Sequence, residues 1–156
     1  MTAEELTASL HRDIPLCQAM GVTVRQADPA RTVLAIPPAP NTNHMNTVFG
    51  GSANTLAILA AWSLLHLRLE GAQPPCHIVI QQNRMHYLLP MPDAAEAVCS
   101  FDDHAAWVRF SDMLERRGRA RLTLHAEIHS VGRLCARFEG EFVAVQQSPA
   151  GGAADA

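Results

Sequence analysis

Lysine is absent from this sequence of 156 residues, since all 12 of its basic residues are arginines. Reactions that run through an imine on a lysine amine are therefore excluded. Acidic residues are also scarce in the middle of the chain, where Glu70 is the one carboxylate between positions 29 and 92. A mechanism that requires two carboxylates in this segment is therefore disfavoured.

Several familiar sequence motifs are missing as well. The chain has no Walker loop, no Gly-x-Gly-x-x-Gly and no Gly-x-Ser-x-Gly, which removes the common signatures of nucleotide binding and of a serine nucleophile. Its 4 cysteines form no Cys-x-x-Cys pair, so we expect free thiols in a reducing cytoplasm. The first residues are acidic and no apolar run reaches the length of a membrane span, so neither export nor membrane insertion is expected. The net charge of −3 gives no general attraction to nucleic acid.

Hydrophobic residues make up 48% of the chain, which is enough for one compact core. We predict a single domain over residues 1–146, followed by a disordered tail at 147–156 that is rich in Gly and Ala. Polarity patterns, turn residues and helix caps divide the domain into helices and strands. The predicted helices are 2–10, 53–69 and 105–117, and the predicted strands are 22–24, 32–36, 77–89, 96–101 and two alternating strands on either side of a turn at 131–133.

The long helix at 53–69 is apolar on nearly every side, so it belongs in a protein interior. An antiparallel sheet with one polar face can bury such a helix by curling around it. We therefore predict an α+β protein of the hotdog type, in which the sheet wraps around a long central helix. A single unit of this kind leaves one sheet edge and one side of the helix uncovered, so a homodimer is expected, and further pairing of dimers stays open. An ordinary α+β sandwich would explain the strands but not the apolar helix.

The most informative segment is the loop at 40–52, which leads into this helix. It contains three asparagines and a histidine, followed by Gly50 and Gly51, which let a ligand approach the backbone closely. The first turn of a helix presents unpaired N–H groups and the positive end of the helix dipole. Such donors suit a carbonyl oxygen that becomes an oxyanion. The alternative is that the asparagines only shape the loop and cap the helix, and that the glycines only permit tight packing.

The loop resembles the Asn-x-x-Gly-x-x-His-Gly-Gly loop of hotdog acyl-CoA thioesterases, with Asn46 in place of the first Gly and Phe49 in place of the His. A closer resemblance, over about residues 1–146, is to the hotdog family known as "putative thioesterase", which also occurs fused to an acetyltransferase domain. Within the loop and the helix, the resemblance rests on Pro40, Asn41, Asn43, Thr47, Phe49, Gly51, Ser52 and Trp62. Later motifs that agree are Arg84-x-x-Tyr87-Leu88-x-Pro90, Arg117-Gly118-Arg119 and Leu134-Cys135-Ala136-x-Phe138-x-Gly140.

Some members of that family are malonyl-acyl-carrier-protein decarboxylases, which supply the acetyl starter for fatty acid synthesis. The resemblance therefore implies an enzyme that acts on a malonyl thioester carried by acyl carrier protein or coenzyme A, with no cofactor and no metal. Hotdog thioesterases commonly keep an Asp or Glu on the central helix about seven residues after the Gly-Gly pair. Residues 55–59 of this chain contain neither, which weakens the prediction of hydrolysis.

Loss of CO2 from a malonyl thioester needs no nucleophile, only donors that stabilise the oxygen of the enolate. We therefore assign Asn43 as the main catalytic residue, and backbone N–H groups near Gly51 and Ser52 as the rest of the oxyanion site. The supporting candidates are Thr47 and Asn41, with His44 as a weaker one.

Arg117 and Arg119 belong to a basic cluster just before a predicted strand. In a hotdog dimer they are candidates for binding the phosphate of pantetheine or of a nucleotide, or an acidic carrier protein. The alternative is a solvated turn. His125, Glu127 and His129 share the polar face of a strand and are predicted to be a charged surface rather than a metal site. Two further functions stay open: an acyl-CoA or acyl-carrier-protein thioesterase, and a non-catalytic acyl-thioester-binding module.

Overall fold

The computed structural model describes residues 1–147, which contain four helices and six strands. The helices are α1 (Ala3–Asp13), α2 (Pro15–Met20), α3 (Gly50–Arg68) and α4 (His104–Arg117). The strands are β1 (Thr23–Asp28), β2 (Arg31–Ile36), β3 (Cys76–Tyr87), β4 (Ala95–Ser100), β5 (Arg119–Ser130) and β6 (Arg133–Gln146). Of the tail predicted at 147–156, Gln147 donates its N–H to the Pro75 carbonyl at 2.8 Å, and residues 148–156 lie outside the described residues. Within residues 1–147, no helix is both long enough and apolar enough to cross a membrane.

The six strands form one antiparallel sheet in the order β1-β2-β4-β5-β6-β3, so β1 and β3 are its edges. β5 and β6 form a hairpin whose turn residues, Val131 and Gly132, have φ values of 47° and 72°. This left-handed backbone is what a tight two-residue hairpin turn requires. Side chains along β5 alternate between buried and exposed, so the sheet has a core face and a solvent face, as predicted.

The core face of the sheet wraps around α3, which contacts all six strands. Thr32 in β2 is fully buried and donates its hydroxyl to the Ala60 carbonyl at 2.8 Å, which ties the sheet to the middle of the helix. The predicted hotdog arrangement is therefore confirmed. The buried residues of α3 are Ala53, Leu56, Ala57, Leu59, Ala60, Ala61, Ser63, Leu64, Leu65 and Leu67.

The structure contains one helix that the sequence pattern does not predict, α2. Pro15 predicts an end to the first helix, and α1 does end at Asp13. Pro15 then begins α2, because the first position of a helix needs no N–H donor and suits the fixed φ of proline. Gly21 ends α2 in the left-handed conformation, at a φ of 67°. Cys17 and Met20 are buried, so α2 is anchored in the core.

The turn between the first two strands is shorter than predicted. The sequence predicts a turn at 27–30, but β1 continues through Asp28 and β2 begins at Arg31. The turn itself consists of Pro29 and Ala30, and the Asp28 carboxylate accepts the N–H of Ala30 at 2.7 Å. That local hydrogen bond lets Asp28 end the strand instead of belonging to the turn.

One side of α3 remains open. A stripe of half-exposed residues runs along the helix at the spacing of one turn, formed by Gly50, Asn54, Ile58, Trp62, His66 and Leu69. The stripe faces β3, because the Trp62 indole N–H donates to the Ile78 carbonyl at 3.2 Å. Val79 in β3 is 55% exposed. An open sheet edge and an open helix stripe therefore lie on the same side of the protein.

Replacement of Ser63 by alanine should stabilise the protein. Ser63 is fully buried, and its hydroxyl has no hydrogen-bond partner among residues 1–147. A buried hydroxyl without a partner costs the free energy of its lost hydration. We expect Ser63→Ala to raise the free energy of unfolding by about 1 kcal/mol in urea denaturation. Thr32→Val is the matched control and should lower the free energy of unfolding, since the Thr32 hydroxyl is hydrogen-bonded. An equal decrease in the free energy of unfolding in both variants would contradict the interpretation.

Candidate functional site

Asn41 fixes the loop that leads into α3. The residue is 2% exposed, and its side-chain amide donates to the carbonyls of Met20 at 2.8 Å and of Pro37 at 2.9 Å. Its own backbone carbonyl accepts the N–H of Phe49 at 2.7 Å. Both amide hydrogens of Asn41 are therefore used inside the protein, and it acts as a positioning residue that holds the loop between α2 and α3.

Asn43 and Thr47 meet in the next turn of the loop. The side-chain oxygen of Asn43 accepts the backbone N–H groups of Met45 at 2.9 Å and of Thr47 at 3.2 Å. Its amide nitrogen donates to Thr47 Oγ1 at 3.1 Å. This bond uses one hydrogen of the Asn43 amide, and the other has no protein partner within residues 1–147. Asn43 is half-buried, whereas His44 is exposed at the tip of the turn.

The first turn of α3 presents free backbone donors. Phe49 is the N-cap residue, and no side chain of residues 1–147 caps the helix there. The first intrahelical bond runs from the Ala53 N–H to the Phe49 carbonyl at 3.1 Å, so the N–H groups of Gly50, Gly51 and Ser52 lack a helical acceptor. The helix dipole adds positive potential at the same end. This turn can therefore bind a carbonyl oxygen that gains negative charge.

Two aromatic rings flank the glycine pair. The Phe49 ring lies so close to Gly51 that a Cβ atom there would overlap it, and a Cβ atom on Gly50 would lie 3.3 Å from the Tyr87 ring. The Tyr87 hydroxyl donates to the Gly50 carbonyl at 2.8 Å. Burial raises the pKa of this hydroxyl, so Tyr87 stays a donor at neutral pH. The Phe49 ring thus accounts for the glycine at position 51, and the Tyr87 ring leaves little room beside Gly50.

A cavity of about 460 Å³ opens beside this turn, a volume typical of small-molecule sites. Its lining comes from α2, the loop and the first turns of α3: Leu16, Ala19, Met20, Pro40, Asn41, Phe49, Gly51, Ser52 and Thr55. None of these residues carries a charge. The hydroxyl hydrogen of Thr55 is donated to the Gly51 carbonyl at 2.9 Å. A neutral and largely apolar cavity therefore lies next to the free N–H groups.

The structure brings the six residues predicted for this site to one end of α3, but to two neighbouring places. Three of them line the cavity: Asn41, Gly51 and Ser52. The other three form the adjacent turn of the loop: Asn43, His44 and Thr47.

Sequence reasoning misses the α2 wall and the contact made by Tyr87. The wall is missed because Pro15 indicates the end of a helix, although it also suits the start of one. Tyr87 stands in a motif that carries the family resemblance, but its bond to Gly50 joins residues 37 positions apart. Such a contact depends on the register of β3 against the rest of the sheet.

The predicted phosphate-binding arginines lie at the other end of α3. Arg117 is the last residue of α4 and Arg119 the first of β5, and Arg119 lines a second cavity of about 780 Å³ between α4 and β5. Arg119 in β5 and His77 at the start of β3 both pair with Val145, whereas Tyr87 at the other end of β3 contacts Gly50 at the start of α3. With 19 residues, α3 is about 28 Å long. Within this chain, the arginines are therefore far from the free N–H groups.

Neutral residues occupy the helix positions where hotdog hydrolases keep an acid. Ile58, seven residues after Gly51, is half-exposed on the stripe. The first acid after the glycine pair is Glu70, which lies beyond α3 and contacts the amino terminus at 3.1 Å. The side-chain oxygen of Asn54, one turn before Ile58, is buried with no partner in the described part of the chain. α3 therefore supplies no carboxylate, and its imidazole, His66, lies in the last turn of the helix, away from the free N–H groups of the first turn.

The polar face of β5 is a solvated surface, as predicted. His125 lies 3.1 Å from Glu139, and Glu127 lies 3.8 Å from Arg137 and 3.6 Å from His129. Exposed pairs of this kind contribute little to stability. Over residues 1–147, no group of three or more His, Cys, Asp or Glu side chains is arranged to hold a metal ion.

Comparison with known proteins relates the whole described chain to one family. The family described as "Putative thioesterase" matches residues 3–146. A structure described as the putative thioesterase from Shewanella oneidensis is 26% identical, with a TM-score of 0.80 over 92% of this chain and 96% of that one. A protein of unknown function from Chlorobaculum tepidum is 26% identical, with a TM-score of 0.87 over 93% and 94%. A Pseudomonas aeruginosa protein described as "Probable Thioesterase" is 18% identical and shares the fold, with a TM-score of 0.82 over 94% and 97%.

Asn41→Ala should destabilise the protein, because it leaves the carbonyls of Met20 and Pro37 without their donor. We expect the free energy of unfolding to fall by about 1–3 kcal/mol in urea denaturation. Asn41→Asp keeps the shape but cannot donate to either carbonyl, so it should cost at least as much. Gln18→Ala, at an exposed position of α2, is the control and should change stability by less than about 0.5 kcal/mol. A change at Asn41 as small as the change at Gln18 would contradict the positioning role.

Proposed function

The chain belongs to the hotdog-fold "putative thioesterase" family of acyl-thioester enzymes, and from this premise we propose that its reaction is the decarboxylation of a malonyl thioester. The substrate is a malonyl group on acyl carrier protein or coenzyme A, and the product is the acetyl thioester, a starter for fatty acid synthesis. The observation that supports this reaction is the uncharged cavity beside the N–H groups of Gly51 and Ser52. We place the reaction in the cytoplasm, in keeping with four free cysteines.

Decarboxylation breaks the bond between the malonyl methylene carbon and its carboxylate carbon. The electron pair of that bond moves towards the thioester carbonyl and forms an enolate, CO2 leaves, and water then protonates the methylene carbon to give the acetyl group. The enolate charge collects on the thioester oxygen, so fixed donors at that oxygen lower the barrier. The N–H groups of Gly51 and Ser52 and the dipole of α3 are suitable donors. Loss of one such donor typically costs about 3 kcal/mol or more.

An uncharged cavity suits this reaction better than it suits hydrolysis. Hydrolysis requires a general base or a nucleophile, and no residue lining the cavity has a carboxylate or an imidazole. A protein carboxylate in the cavity would also repel the carboxylate of the substrate. In apolar surroundings the substrate carboxylate is poorly solvated, which favours its loss as CO2.

Asn43 is the proposed catalytic residue. Thr47 and the loop backbone hold its side chain in one orientation and leave one amide hydrogen without a protein partner. From the turn beside the cavity, this hydrogen would donate to the thioester oxygen or orient the malonyl carboxylate. Thr47 supports the side chain, Asn41 supports the loop, and His44 at the exposed tip is a secondary candidate for contact with the substrate.

Hydrolysis of an acyl-CoA or acyl-carrier-protein thioester is the second candidate. The family and its Shewanella oneidensis relative are described as thioesterases, and a hydrolase would use the same oxyanion site. Its base would have to come from outside the cavity lining, for instance from a partner subunit. Release of free thiol from a malonyl thioester would mark this reaction, and binding without turnover would mark a non-catalytic binding module.

The proposed enzyme is a homodimer that pairs through β3. β3 is an edge strand of 12 residues, and the unpaired backbone groups of such an edge readily pair with another strand. A two-fold axis at this edge makes the two β3 strands antiparallel. The same contact would cover the open stripe of α3.

Pairing of this kind brings together the two distant groups of predicted residues. Arg119 lies level with the start of β3 but two strands away, because Arg119 and His77 both pair with Val145 of the strand between them. Tyr87, at the end of β3, contacts Gly50 at the start of α3. Antiparallel β3 strands would therefore place the arginine end of one subunit beside the helix start of the other, with β5 of the partner three strand spacings away, about 14 Å. The arginines of each subunit would then bind the phosphate of a substrate whose thioester lies in the other.

Asn43→Ala should remove most of the CO2 release from a malonyl thioester, because it removes the proposed donor. We expect kcat to fall about 100-fold or more, with fold and oligomeric state unchanged. Asn43→Asp keeps an oxygen that accepts the N–H groups of Met45 and Thr47, but it has no donor and adds a negative charge. It should therefore lose activity while it preserves the turn.

Met45→Ala is the matched control for these variants. The Met45 side chain is 68% exposed in the same turn, and the substitution keeps its backbone N–H, so CO2 release should persist. Unchanged CO2 release by both Asn43 variants would contradict the assignment. Loss of activity in Asn43→Ala alone, with activity kept in Asn43→Asp, would show that the residue only shapes the loop.

Reversal of charge at Arg117 and Arg119 together, to glutamate, should raise the Michaelis constant for a carrier-protein substrate several-fold with little change in kcat. The effect should shrink at high ionic strength, because exposed charges are screened. A double reversal at Arg12 and Arg133 changes the net charge equally at other exposed positions and is the control. Equal Michaelis constants for the two double variants would show that Arg117 and Arg119 only form a solvated turn and do not bind the substrate.

A further inference from the structure

α2 forms a wall of the cavity to which the proposed reaction assigns no role. Leu16 and Ala19 face the cavity from its exposed side, and Met20, 6% exposed, lies in the core and also lines the cavity. Leu16 is 54% exposed, so a substitution there need not disturb the core. Asn41 joins α2 to the site, since its amide donates to the Met20 carbonyl at 2.8 Å and its carbonyl accepts the Phe49 N–H at 2.7 Å. The wall is therefore held in place relative to the first turn of α3.

The two ends of a bound acyl thioester differ in chemistry. The pantetheine end contains amide groups, which need hydrogen-bond partners when they leave water. The side chains of Leu16, Ala19 and Met20 offer only C–H groups and a thioether, and Pro40 beside them has no N–H. When the thioester oxygen is on the N–H groups of Gly51 and Ser52, the α2 side of the cavity therefore suits the acyl end, and the pantetheine arm leaves on the other side.

We infer that Leu16 and Ala19 are specificity-determining residues that receive the acyl end of the substrate. This inference rests on the proposed function, because it takes an acyl thioester as the ligand and the first turn of α3 as the site of its carbonyl oxygen. In this role, the α2 side of the cavity limits the size of the acyl group and presents no charge to it. The terminal carboxylate of a malonyl group would face this wall without a cation, and that position favours its loss.

Leu16→Arg tests the charge of the wall, and its exposed position makes the substitution compatible with folding. The probes are acetyl and malonyl analogues in which an amide replaces the thioester, carried on coenzyme A and on a phosphopantetheinylated carrier protein, with dissociation constants measured by calorimetry. The new guanidinium should tighten binding of the malonyl analogue by a factor of a few, up to about tenfold, and leave the acetyl analogue within about twofold. Because it stabilises the carboxylate, it should also lower kcat for CO2 release.

Gln18→Arg is the matched control, since Gln18 is exposed on the same helix and does not line the cavity. It should change the two dissociation constants equally and by less than about twofold. Ala19→Phe tests the volume of the wall and should weaken binding of both analogues about tenfold or more, whereas Gln18→Phe should not.

The outcomes separate this inference from the proposed function. Equal tightening of both analogues in Leu16→Arg, or the same response in Gln18→Arg, would overturn the acyl role of α2, and so would unchanged binding in Ala19→Phe. Suppose that the wild type binds the analogues, that Leu16→Arg tightens binding of the malonyl analogue alone, and that the wild type releases no CO2 from the malonyl thioester. Decarboxylation is then contradicted, and the acyl role of α2 stands. If the wild type binds neither analogue on either carrier, both are overturned.

Discussion

The burial of α3 is the constraint on which the rest of the structure depends. Ten residues of this helix are buried, and each buried leucine side chain contributes about 1.5–3 kcal/mol to folding. A sheet can cover such a helix only if its strands curl around it, and α3 accordingly contacts all six strands. The sheet ends at β3, so the helix stripe beside this strand stays open. The same constraint therefore produces both the hotdog fold and the surface on which we propose that a second subunit packs.

Burial also sets the chemistry at the start of α3. A helix that enters the core can carry few charged side chains, and α3 has no acid between its glycine pair and its end. Asn41 ties the approaching loop to Met20 and Pro37, while the Phe49 ring occupies the space that a Cβ atom on Gly51 would need. The free N–H groups of the first turn thus face a neutral cavity. A developing enolate needs hydrogen-bond donors and no base. Hydrolysis needs a general base as well, and this cavity has none.

The sequence predicts features that depend on local patterns and misses those that depend on distant contacts. The sequence predicts the long helix at 53–69 and the helix lies at Gly50–Arg68, because a run of apolar residues without a polar face has few alternatives. Pro15 suits both the end of one helix and the start of the next, so the pattern does not predict α2 or the cavity wall that it forms. The sequence ranks Asn43 above Asn41 but does not give the contacts of either side chain; the structure shows that Asn41 uses both amide hydrogens on the carbonyls of Met20 and Pro37. The distance between Arg119 and the helix start likewise depends on sheet order, which spacing along the chain does not give.

The central claim is that an enolate forms at the start of α3, and the fate of the malonyl methylene group in heavy water tests it most directly. An enolate takes its new proton from the solvent, so decarboxylation in D2O should give an acetyl thioester that carries solvent deuterium in its methyl group and an intact thioester bond. The mass of the product after a short incubation measures this, and a sample without enzyme corrects for spontaneous exchange of the methylene hydrogens. Malonate that keeps its methylene hydrogens, formed together with free thiol, would show that the protein hydrolyses its substrate and would contradict the account.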